Sequence, residues 1–139
     1  MAGRPITRAA TAAALCAGLA VAGCSGERDT SEGRRVEAVV KRFALSHGPE
    51  TCALFTAKAV VSVYGLSSRS PRVARANCLA RSKTFEGAPV TVTFVKINTD
   101  TSAHASAQTP DGKSFYTVGL LKLHGRWLID SVVRKQKPG

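Results

Sequence analysis

From Arg34 onward, apolar residues recur at Val36, Val39, Val40, Phe43 and Ala44. This i, i+3, i+4, i+7, i+8 spacing lays one stripe along a helix, and Arg35, Lys41 and Arg42 fall off it. Gly48 ends that helix, and Pro49 suits the first turn of a second. The second helix runs through Cys52, Leu54 and Phe55, with Glu50 near its positive end. Residues 57–64, AKAVVSVY, fit either the end of that helix or a short strand. A loop is predicted over 65–71, GLSSRSP, and a third helix over 73–83 sets Cys78 against the second. After Gly87 the apolar period changes to two. Strands are predicted over 89–97, 99–108, 115–123 and 127–133, turning at Asn98, at Asp111-Gly112 and at His124-Gly125. Gly119, inside the third strand, predicts a bulge or bend that curves the sheet. The expected fold is α+β: N-terminal helices packed on a curved antiparallel four-stranded meander.

The first part of the chain follows another pattern. Arg4 and Arg8 precede a run without charge over residues 9–23, AATAAALCAGLAVAG. At about 15 residues it matches the apolar core of a secretory signal, and it is short of the ~20 needed to span a bilayer. Val21-Ala22-Gly23-Cys24 then resembles the lipobox of bacterial lipoproteins. That resemblance implies that residues 1–23 are a signal peptide and that Cys24 carries a diacylglyceryl group. The mature protein would sit on the extracytoplasmic face of the cell membrane. The alternatives are an ordinary secretory signal with cysteine at the cut and an uncleaved signal anchor. Residues 25–33, SGERDTSEG, hold no apolar side chain, so 24–33 is expected to be the lipidated cysteine and a flexible tether. The domain is then 34–134, with a tail over 135–139.

Removing residues 1–23 leaves 116 of the 139 residues, enough for one core and not two. The formal charge falls from +11 to +9 with the loss of Arg4 and Arg8. Basic residues gather at Arg34, Arg35, Lys41 and Arg42, again from Arg69 to Lys83, and at Arg134, Lys135 and Lys137. An exported, tethered protein rarely meets nucleic acid, so none is expected as a partner. Anionic headgroups, at about 1 kcal/mol per basic residue near the surface, fit better. A merely solvated arginine-rich face is the bland alternative. Of the four cysteines, Cys16 leaves with the signal and Cys24 takes the lipid. Cys52 and Cys78 remain as an even pair in an oxidising compartment, for which a disulfide is the default. Neither has a C-x-x-C neighbour or an adjacent histidine, so no metal or redox site is expected.

Helices followed by a meander whose last strand begins Gly125-Arg126-Trp127-Leu128-Ile129 make the chain similar to the NTF2-like (cystatin-like, cone-shaped α+β) superfamily. The likeness covers about residues 34–134 and is closest to small actinobacterial-type lipoproteins. In these a helix reading roughly Cys-Ala-Leu-Phe-Thr (Cys52 to Thr56) precedes a second cysteine, and a Gly-x-Trp-x-Ile strand closes the domain. The superfamily hosts isomerases, hydratases, ligand carriers and interaction modules, so fold alone does not choose among them. An enzyme of this shape needs a carboxylate base or a tyrosine donor inside the cone. Tyr64, Asp100, His104, Tyr116 and Asp130 are the candidates. Asp100 falls in a turn, His104 is expected on the outer face, and His47 and His124 sit at a helix end and a turn. Asp130, sharing a face with Leu128 and Val132, is the best base, with Tyr64 or Tyr116 as its partner. No Ser-His-Asp order, phosphate loop, metal cluster or cofactor motif is present. The sequence therefore predicts a non-enzymatic envelope lipoprotein that binds a protein or a small apolar ligand. The alternatives are an isomerase or dehydratase using Asp130 and a tyrosine, and a homodimer formed through the open sheet face.

Overall fold

The computed structural model describes residues 26–84 and 87–139, so the expected signal peptide and Cys24 lie outside the described residues. Among the described residues four helices precede a four-stranded antiparallel sheet of order β1-β2-β3-β4 that is not closed. The helices are α1 (Ser31–Leu45), α2 (Pro49–Ala53), α3 (Ala57–Tyr64) and α4 (Pro71–Ser82). The strands are β1 (Thr91–Thr99), β2 (Ser102–Gln108), β3 (Ser114–Leu123) and β4 (Arg126–Gln136). Among the described residues no helix is long and apolar enough to cross a membrane.

The stripe read from the sequence is the buried face of α1: Val36, Val40 and Ala44 are buried, while Val39 and Phe43 pack at its margin. This helix lies across the sheet and touches β1, β2 and β4. Inward residues of β2 are Ala103, Ala105 and Ala107, all buried. Their small side chains let α1 approach that strand closely, while Val118, Leu120, Trp127 and Ile129 fill the space beside it.

The helix begins earlier than expected, and the segment before it is not a free tether. Thr30 caps α1 by accepting from the Gly33 amide at 3.0 Å. Gly26 forms a bridge with Val95, and the Glu27 amide donates to the Val95 carbonyl at 2.7 Å. The Glu27 carboxylate accepts from the Ile97 amide at 2.6 Å, and Arg28 Nη1 donates to the Val92 carbonyl at 2.9 Å. A polar composition looks like a tether, but here the polar groups bind Val92, Val95 and Ile97 along the open edge of β1, which would otherwise invite a foreign strand. Gly33 is buried, and a Cβ there would run into the Glu27 carbonyl.

Residues 57–64 are helix, which settles that ambiguity. The second helix is shorter than expected and stops at Ala53, because Leu54 to Thr56 turn out to bridge the edge of β4. The Ile129 amide donates to Leu54 O at 2.7 Å, and the Thr56 amide donates to Ile129 O at 2.8 Å. Thr56 then caps α3 through the Ala59 amide at 3.1 Å. The expected disulfide joins Cys52 of α2 to Cys78 of α4. Helix α4 packs on α2 and α3 and forms the outer layer.

The His124-Gly125 turn is tight, with two successive positive φ values of 49° and 75°. The expected irregularity at Gly119 is present. Gly119 faces Ser131 and Leu120 faces Ile129, so Asp130 is the extra residue of a bulge in β4. The fourth strand also continues to Gln136, pairing Phe115 with Lys135, so part of the expected tail belongs to the sheet.

Glu32 ties the start of α1 to the far hairpin. One of its carboxylate oxygens accepts from Lys122 Nζ at 2.9 Å and from Trp127 Nε1 at 2.8 Å, and Arg35 donates to the other at 3.0 Å. The Lys122 and Trp127 bonds hold its pKa below the usual glutamate value. A depressed folded-state pKa gives stability that is complete above the unfolded value, about 4.3, and is lost as pH falls through the folded one. Thermal unfolding from about pH 6 to about pH 3 should therefore show a smaller acid loss in Glu32→Gln than in the parent. Parallel curves would remove Glu32 from the acid response.

Candidate functional site

A cavity of about 450 Å³ lies between α1 and one end of the sheet. Helix α1 contributes Val40, Phe43 and Ala44, and the segment entering β1 adds Ala88 and Val90. The sheet supplies Ala107, Val118 and Val132 as floor, with Thr109, Tyr116 and Arg134 as the polar members. Its volume lies within the range of small-molecule pockets, roughly 300–1,000 Å³, and its walls are apolar with few polar groups, as such pockets are. Beside it, Phe43, Phe55 and Tyr64 form an edge-to-face chain, with centroids 5.4 and 6.0 Å apart. Phe43 thus both lines the cavity and belongs to this aromatic chain.

The bulge decides which side chain reaches this cavity. Regular pairing back from Leu123 and Arg126 would set Val133 opposite Tyr116; the extra residue at Asp130 sets Arg134 there instead. Arg134 lies over the Tyr116 ring at 5.9 Å, and its Nη2 donates to the Oγ of buried Ser114 at 3.0 Å. The sequence places Arg134 only within a basic cluster and Tyr116 only as a partner for Asp130, and it does not bring the two together. The only signal available was Gly119, whose bulge would have had to be placed on the facing strand.

The sequence candidates are not brought together. Asp130 accepts from the Thr56 hydroxyl at 2.8 Å and lies 3.5 Å from Lys58 Nζ. It fastens the cap of α3 to β4. The expectation that it shares an inner face with Leu128 and Val132 fails because the bulge breaks the alternation: Ile129 is in the core and Val132 packs against that same core. Tyr64 packs on Phe55 at the end of α3, where burial pushes its hydroxyl pKa up and Arg81 opposes the shift. Tyr116 alone lines the cavity.

Asp100 is exposed in the β1–β2 turn. His104 is half-buried and stacks on Phe94 at 5.6 Å, on the opposite side of β2 from its buried alanines. His47 and His124 are exposed in connections. Among the described residues no cluster of three or more His, Cys, Asp or Glu is arranged to hold a metal. Cys24 lies outside them.

No family model matches the chain, and no curated protein or solved structure matches it significantly.

Proposed function

We propose that the chain is an extracytoplasmic lipoprotein, held on the membrane by lipid on Cys24, whose NTF2-like domain is a non-enzymatic ligand-binding module. The observation that carries the reading is the apolar cavity under α1, whose polar groups gather at one end. Asp130, the best sequence candidate for a base, is committed to Thr56 and Lys58 and so is bound up with the fold. The α4 surface supports contact with anionic headgroups. Arg69, Arg72, Arg75, Arg81 and Lys83 have no Asp or Glu among them, none occurring between Glu50 and Glu86. A second reading, self-association through the outer sheet face, draws on Phe115 and Val133, exposed by 42% and 52% there.

Two measurements test the proposal. Cys24→Ala should release the protein from the membrane or leave it unprocessed; retention at the mature size overturns the anchor. Native mass spectrometry of the oxidised protein after exposure to host lipid extract should show a retained small adduct that is lost on denaturation. A bare monomer mass overturns the ligand-binding reading, and a dimer peak would shift the weight to the second.

A further inference from the structure

Among the described residues the cavity is lined by one charged group, Arg134, and that group is a cation held in place. Arg134 is positioned by the buried Ser114 hydroxyl and by the Tyr116 ring. A guanidinium offers five N–H donors, and Ser114 uses one. Among the described residues no carboxylate stands within ion-pair distance of Arg134.

The surrounding end of the sheet is basic as well. Lys113 precedes β3, and Lys135 and Lys137 lie at the end of β4. The only acid between Asp100 and Asp130 is Asp111, whose carboxylate is engaged by the Thr109 hydroxyl and the Lys113 amide.

We propose that this cavity takes a single-chain amphiphile with an anionic head, its apolar chain under α1 and its head on Arg134. The inference rests on reading the cavity as a ligand site and names the class of ligand. Val40, Phe43, Val118 and Val132 offer the chain an apolar lining. Because Arg134 is exposed, the head stays partly hydrated and escapes the cost of burying a charge. The basic end of the sheet also attracts anions before contact. A neutral amphiphile would gain from Arg134 only an uncharged-acceptor hydrogen bond, weaker than the charge-paired one, and a cationic one would be repelled.

The test is calorimetric titration of the full-length, oxidised chain carrying Cys24→Ser, so that no attached acyl group competes. The probes are dodecanoate, dodecyl phosphate and dodecanol, each below its aggregation threshold. At least one anionic probe should bind about tenfold more tightly than dodecanol, the scale of a hydrogen bond to a charged group. Arg134→Leu should abolish that preference and change dodecanol affinity far less than that of the anionic probe, and Arg134→Lys should restore most of the preference. Tighter dodecanoate binding assigns a fatty-acid head, and tighter dodecyl phosphate binding a phosphate head. Equal affinity for all three probes, or a preference that survives Arg134→Leu, overturns the anionic-head inference while the cavity remains a ligand site. Failure of all three to bind overturns both.

Discussion

A chain with Cys52 and Cys78 both replaced by alanine is expected to be about 3.5 kcal/mol less stable than the oxidised protein. The bond closes a loop between residues 26 apart, and the lost closure entropy of the unfolded chain sets that scale. Its local surroundings make the dependence strong. Helix α2 has five residues, far too few to be helical alone, and α4 buries only Ala74, Cys78 and Ser82. Small side chains give that outer layer little apolar area with which to hold itself down. Both cysteines are fully buried, so the sulfurs also serve as core atoms. Against a typical domain stability of about 5–15 kcal/mol, the loss is a large fraction. Urea unfolding of the oxidised and double-alanine proteins measures it directly. A difference below about 1 kcal/mol would mean that α2 and α4 are held by packing alone and that the closed-loop account does not apply here.

The parts of this fold legible in the sequence are those written in local periodicity. Val36 to Ala44 declare a helix face, and the alternation after Gly87 declares a meander, because each pattern needs only its own neighbours to be recognised. The docking of the polar segment before α1 is not legible there, for the opposite reason. Glu27 and Arg28 are polar because they satisfy a strand edge nearly seventy residues away, as the Glu27–Ile97 bond shows with its separation of 70. Composition cannot distinguish a side chain solvated by water from one solvated by a sheet edge.

The short second helix has the same origin. Nothing local stops it at Ala53, but Ile129 of β4 claims the backbone of Leu54 and Thr56. The site shows the difficulty most sharply. Asp130 looked inward by simple alternation, yet a single extra residue turned it to the Thr56 cap and brought Arg134, not Val133, to the cavity. A strand's facing is a count from a turn, and a bulge changes that count for every residue beyond it.

The second large effect is expected at the residue where that count still holds. Ile129→Ala should cost about 3–4 kcal/mol, and Ile129→Val about 1 kcal/mol. The side chain is fully buried among the inner residues of the sheet, while its amide and carbonyl are bound to Leu54 and Thr56. Those backbone bonds survive the substitution and keep the strand from collapsing onto the missing atoms, so most of the void should persist and its cost with it. A comparison along α1 separates this core from the cavity beside it. Val36 and Val40 stand one turn apart and are both buried, but only Val40 lines the cavity. Val40→Ala should therefore cost clearly less than Val36→Ala, since part of its surface already lacks packing partners. Equal costs would mean that Val40 is as tightly packed as Val36 and that the space beneath α1 closes in solution. A cavity that closes leaves Arg134 nothing to guard, so denaturation midpoints of these two valine variants bear as directly on function as on stability.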